Sequence, residues 1–134
     1  MLGKLDYMLG LVDDIEKRSP EVVTEYRKKL IDKIHEVLND ASLDENRIAT
    51  EVTIFADKIC VDEETVRLRS HIESTRDTLI EGGNVGRKLD FIAQEMNREA
   101  NTILSKANDL AISDNAISLK TEIEKVREQI QNIE

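Results

Sequence analysis

One cysteine, one proline and no tryptophan mark this chain of 134 residues by what it lacks. Cys60 has no partner, so no disulfide framework exists, as suits the cytosol. One cysteine without paired histidines also excludes a structural zinc site. Cys60 is expected to serve as a small buried hydrophobe. Two tyrosines and two phenylalanines offer little for stacking bases and little for the core of a sandwich or barrel. No apolar run approaches the roughly 20 residues that span a bilayer, and no signal peptide precedes the first apolar pattern. Gly82-Gly83 lacks the spacing and the following Lys-Ser/Thr of a phosphate-binding loop. Basic residues are outnumbered, 19 against 28 acids, for a net charge of -9. That balance argues against general nucleic-acid binding, which draws its affinity from neutralised phosphates.

What remains is helical periodicity from end to end, with no strand alternation. The fold expected is all-α, an antiparallel bundle of about five or six long amphipathic helices. Leu2, Leu5, Leu9, Val12 and Ile15 mark a first helix that starts at Met1 without a cap, as expected of a longer protein whose N-terminal half is missing. Ser19-Pro20-Glu21 reads as a new start, with serine as N-cap and proline at the first helical position. The helix it opens should bury Val23, Tyr26, Leu30, Ile34 and Val37 and leave His35 solvated, the two helices forming one long arm broken at the proline. A polar connection over 39–44 follows, and Asp44 caps a helix with the seam Ile48, Val52, Phe55 and Ile59. Asp62 is expected to cap the next, with the seam Val61, Thr65, Leu68, Ile72, Thr75 and Leu79. Gly82 and Gly83 end it by taking positive φ. Ser113 or Asp114 caps the last helix, whose seam is Ile112, Ala116, Leu119, Ile123, Val126, Ile130 and Ile133. We divide the chain into an N-terminal helical arm, 1–43, and a C-terminal helical domain, 44–134.

Between these lies the stretch of greatest interest, Gly86 to Leu110. Leu89, Ala93, Met96, Ala100, Ile103, Ala107 and Leu110 form one apolar stripe. Asp90, Gln94, Asn97, Asn101 and Asn108 line one flank, although Asn and Asp are weak helix formers. Glu95 and Glu99 stand four apart on the other, a repulsion of about 0.2–0.5 kcal/mol. Locally unfavourable choices point to a site; the plainer explanation of the amides is a seam that fixes helix register. The stretch carries four bases against four acids, so the excess acid lies elsewhere. If the helices pack side by side, Glu51 with Asp57, Arg67 with His71, and Glu95 with Glu99 converge. Such carboxylates suit Mg2+ or Mn2+. Arg98 or Lys106 would stabilise charge at phosphorus. A metal-free route would use His71 as general acid or base. The plainer reading of the glutamates and the histidine is a charged, solvated surface.

The same residues carry a resemblance. Gly86-Arg87-Lys88-Leu89-Asp90-Phe91, Gln94 through Thr102, and Ser105-Lys106-Ala107 resemble the signature of the YicC/YloC family. The likeness extends upstream through Glu51-Val52, Phe55 to Lys58 and Arg67 to His71, and downstream over Val126 to Glu134. Leu104 departs from it, where a small residue is usual. Members are bacterial, long described as stress-induced, and regarded as endoribonucleases. They are about twice this length, with an N-terminal domain ahead of the part matched here. The resemblance implies a cytoplasmic, divalent-metal-dependent endoribonuclease acting on RNA rather than DNA, in a ring-like homo-oligomer and away from membranes. The roles expected are metal binding by Glu51, Asp57, Glu95 and Glu99, RNA binding by Arg67, Arg87, Lys88 and Asn101, and catalysis by His71, Arg98 and Lys106. The rival reading is a non-catalytic helical adaptor that contacts RNA or another nuclease.

Overall fold

The structure, a computed structural model, describes residues 1–38 and 44–133. Five helices account for nearly all of them: α1 (Leu2–Leu38), α2 (Glu45–Ile59), α3 (Asp62–Glu81), α4 (Gly86–Lys106) and α5 (Leu110–Ile133). No strand occurs among the described residues, so the all-α expectation holds. The bundle proper consists of the first half of α1 with α3, α4 and α5, and its most extensive interface joins α4 to α5. Cross-helix ion pairs show that neighbours run antiparallel. Lys4 meets Glu122 while Arg18 meets Asp109, and Arg69 meets Glu16 and Asp13 while Arg76 meets Asp6. Lys106, at the end of α4, meets Glu64 at the start of α3.

The two apolar seams that the sequence shows most regularly are the centre of this core. Leu89, Ala93, Met96, Ala100 and Ile103 of α4 are buried, as are Ile112, Ala116, Leu119, Ile123, Val126 and Ile130 of α5. Asp44 caps α2, its side chain accepting from the backbone N–H groups of Asn46 and Arg47. Gly82 and Gly83 adopt φ of +73° and +86° and turn the chain between α3 and α4. No atom lies within 4 Å of a Cβ built on either, so backbone conformation rather than space is what requires glycine.

Several local expectations are corrected. Ser19 is not a cap, and Pro20 lies inside the unbroken α1. Proline there removes one helical hydrogen bond, at a cost of about 3 kcal/mol. Packing on both sides outweighs that: Ile15 and Val22 are buried, and α2 docks on the second half of α1 with Tyr26 stacked on Phe55 at 3.8 Å. The buried valine is Val22 rather than Val23, Met8 and Leu11 are buried while Leu2 is half exposed, and Val37 is exposed. Cys60 is exposed at the α2–α3 junction, not buried. Asp62 is the first residue of α3; buried Val61 precedes it without a side-chain cap. α4 ends at Lys106, so Leu110 is not on its stripe but opens α5, 76% exposed. The cap of α5 is Asp109, which accepts from the N–H of Ile112 at 3.2 Å. Residues 39–43, expected as a polar connection, lie outside the described residues.

Candidate functional site

The antiparallel pair α3–α4 carries most of the residues singled out from the sequence. Near one end the two helices are joined by a chain of ion pairs. The Nε of Arg67 donates to Glu99 at 2.9 Å, and a second Arg67 nitrogen lies 3.8 Å from Glu64. Lys106 donates to Glu64 at 2.8 Å and to the carbonyl of Cys60 at 3.2 Å, tying the end of α4 to the start of α3. Glu64 and Glu99 are buried. Burial pushes the Glu64 carboxyl up, but the Lys106 hydrogen bond and the nearby Arg67 outweigh it and hold the group below its ordinary range. The Glu99 hydrogen bond raises the Arg67 guanidinium, and the Glu64 hydrogen bond raises Lys106, so both stay charged. One oxygen of Glu64 has no partner among the described residues. With exposed Glu63 also 3.5 Å from Arg67, three acids face two bases, so the cluster has no cation to spare for a phosphate.

That arrangement decides what these residues can do. Glu99 is already engaged by Arg67, while Glu95 is half-buried and 3.9 Å from Arg98. Glu51 and Asp57 are exposed on α2, which packs on α1 and not beside α4. The convergence expected of Glu51, Asp57, Glu95 and Glu99 therefore does not form. Among the described residues no three His, Cys, Asp or Glu side chains gather as a metal site. A divalent cation does not fit this donor set as folded. It would need Arg67 displaced and donors from outside these residues. The amide flank is partly a seam: Asp90 accepts from Gln94 at 3.0 Å and from Arg127 of α5 at 3.3 Å, while Asn101 is exposed.

The opposite end of the pair is different. α4 begins after Val85 with no side-chain cap and no acid in its first turn, yet that turn holds Arg87 and Lys88. Cations at the positive end of a helix dipole are unfavourable by about 0.3–1 kcal/mol each. Arg67, Arg69, Arg76, Arg98 and Lys106 all have acidic partners. Arg87 and Lys88 are the two bases of α3 and α4 without one among the described residues, and both are exposed. Beside them an open groove of about 370 Å3 runs between the helices. His71, Ser74, Asp77, Thr78 and Glu81 form its α3 wall; Lys88, Phe91 and Ile92 form its α4 wall. His71 is half-buried there, and its backbone carbonyl accepts from Thr75. His71 and Lys88 thus line opposite walls of one groove, with Arg87 next in sequence, while Arg67, one helical turn from His71, joins Glu99, Glu64 and Lys106 in the ion-pair network.

Glu64, Asp77 and Phe91 were missed as members of these clusters. Glu64 reads from the sequence as a first-turn acid favouring the helix dipole, a role that hides its reach to Lys106. Asp77 stands six residues from His71, about 120° around the helix, so spacing gives no direct signal; Ser74, three residues from each, is what links them along the groove wall.

The family described as "Endoribonuclease YicC-like, C-terminal" matches residues 15–134. A "Probable endoribonuclease YicC" of Clostridioides difficile is 49% identical over 132 residues, covering 98% of this chain and 45% of that protein. A protein of the same name from Haemophilus influenzae is 40% identical over 131 residues, again 98% of this chain and 45% of its own length. The chain thus spans less than half the length of the curated relatives it matches, and what it matches is the helical C-terminal part of the family. It belongs to the YicC-like endoribonuclease family.

Proposed function

We propose that this chain is the helical C-terminal half of an endoribonuclease that cuts phosphodiester bonds within RNA, and that it holds the RNA backbone at the start of α4, beside His71. The observation that carries the reading is the pair of cations without an ion-pair partner among the described residues, Arg87 and Lys88, on the positive end of α4 in an otherwise acidic chain. A phosphate there relieves an arrangement that the helix alone disfavours. His71 lines the adjoining groove and is the group suited to move a proton at the attacking or leaving oxygen near neutral pH. Exposed Arg98 and Asn101 extend the contact along α4, and the Glu64–Arg67–Glu99–Lys106 network keeps α3 and α4 in register.

Dependence on Mn2+ or Mg2+ stays part of the proposal for the full-length protein. Its cation would need donors beyond Glu51, Asp57, Glu95 and Glu99, because Glu51 and Asp57 lie on α2 and Glu99 is held by Arg67. The full-length protein is taken to be a cytoplasmic homo-oligomer in which this half packs with the N-terminal half its relatives carry. Among the described residues no helix is long and apolar enough to cross a membrane.

Filter binding of full-length protein to single-stranded RNA across a salt series tests the reading. Arg87→Ala and Lys88→Ala should each weaken binding for all sequences alike and lower the log–log salt slope by about 0.7. Unchanged affinity and slope in both would place the RNA elsewhere. Binding without cleavage of any RNA would favour the helical adaptor.

A further inference from the structure

We propose that the α3–α4 groove is a pocket for one unpaired guanine of the RNA; this rests on reading the chain as an RNA-acting domain. The groove's volume of about 370 Å3 falls within the roughly 300–1,000 Å3 of small-molecule sites. Its α4 wall includes Phe91, which is 61% exposed. Aromatics are scarce in this chain, and the other phenylalanine, Phe55, is spent on Tyr26. A lone exposed phenylalanine is ordinary. One that flanks a groove, three residues after an uncompensated lysine, makes a platform on which a base stacks while its phosphate reaches Lys88.

The facing wall decides which base. Asp77 and Glu81, one helical turn apart on α3, are exposed and form no ion pair among the described residues. Two free carboxylates repel phosphate, so the backbone is kept off the Asp77–Glu81 stretch of this wall and left to the His71 stretch and to Lys88; a base edge that presents N–H groups can meet the carboxylates. Of the four RNA bases only guanine offers two adjacent donors, N1–H and the N2 amino group, to one carboxylate. Adenine and cytosine pair a donor with an acceptor, and uracil offers one donor between two acceptors. A carboxylate therefore selects guanine as bidentate contacts select bases elsewhere. Both the stacked face and the Watson–Crick edge are occupied, so the base must be unpaired. Ser74 and His71 continue the same wall towards the ribose.

The test is calorimetric titration of this chain and its variants with GMP, AMP, CMP and UMP, with the NMR signals of the Phe91 ring, which a Phe91→Leu variant assigns, followed in the parent. GMP should bind about tenfold more tightly than AMP. Phe91→Ala should weaken GMP about tenfold, while Phe91→Tyr keeps it. The Asp77→Asn/Glu81→Gln double variant should abolish the preference for GMP, with AMP binding no weaker than in the parent because two charges that repel its phosphate are gone. Equal responses to all four nucleotides, no response to any, or full GMP binding by Phe91→Ala each overturn the pocket. If RNA still binds through Arg87 and Lys88 without guanine preference, only the pocket falls. If GMP binds as described but the full-length protein cuts no RNA, the endoribonuclease reading falls and a guanine-nucleotide site remains.

Discussion

Ile123 and Ile117 sit six residues apart on α5, one 1% and the other 50% exposed, and truncating each to alanine should give very different results. Ile→Ala removes three carbons. At Ile123 this forfeits about 2.4 kcal/mol of transfer free energy at 0.8 kcal/mol per methylene. The incompletely closed cavity brings the total to about 3–4 kcal/mol. For a chain of 134 residues the unfolding entropy is about 0.28 kcal/mol/K, so the melting temperature should fall by about 10–14 °C. At Ile117 half the side chain is already in water and the loss should stay near 1 kcal/mol or below. Replacing Ile123 with Asp adds an uncompensated buried charge and should prevent folding altogether. Thermal melts followed by circular dichroism at 222 nm read all three. Equal shifts for Ile123→Ala and Ile117→Ala would mean that α5 presents a different face to the bundle, and the position of α4, which it backs, would have to be redrawn.

The network at the other end of α4 makes a prediction of its own. Glu99→Gln takes the carboxylate from Arg67 and should lower the melting temperature. Millimolar Mn2+ should then shift the parent and the Glu95→Gln/Glu99→Gln variant alike; a rise confined to the parent would show a cation displacing Arg67 and would restore the glutamates as metal ligands. Acid should destabilise the fold in a defined window. Hydrogen bonds from Arg18 hold Asp109 below its ordinary 3.8, and those from Arg69 hold Glu16 below 4.5. Depressed carboxyls stabilise fully above their ordinary values and lose that contribution as pH falls through the folded-state values. Stability should therefore decline from about pH 4.5 downward. Asp109→Asn should flatten the decline below about pH 4, and an unchanged pH profile of the melting temperature would contradict the Arg18–Asp109 tie.

Features written in local pattern were legible without the structure. The α4 stripe as far as Ile103, the α5 stripe, the Asp44 cap and the Gly82-Gly83 turn are short-range and legible because period and propensity agree there; the α4 stripe fails only at Leu110, beyond the helix end. Features set by partners far along the chain were not. Arg18 and Asp109 are 91 residues apart, and their fork fixes the start of α5 at Asp109 rather than Ser113 or Asp114. Pro20 is a strong local stop signal that packing of α2 on α1 overrides. Arg67 reaches Glu99 across 32 residues and Lys106 reaches Glu64 across 42, so residues expected at a reaction centre turn out to neutralise one another. The bases that stay uncompensated, Arg87 and Lys88, could be recognised only after every other base of α3 and α4 had been paired.

The most direct test of the central claim uses a circular, single-stranded RNA, which has no ends and is opened only by an endonuclease. Single-turnover rates should be measured with full-length protein in its parent, His71→Ala and Arg87→Ala/Lys88→Ala forms, at saturating and subsaturating protein. The account predicts that the parent linearises the circle. His71→Ala should be slowed at least about 100-fold at saturation with binding retained. The double variant should lose its rate chiefly at subsaturating protein. Parent-like cleavage by His71→Ala together with unchanged RNA affinity in the double variant would contradict a reaction site at this end of α3 and α4.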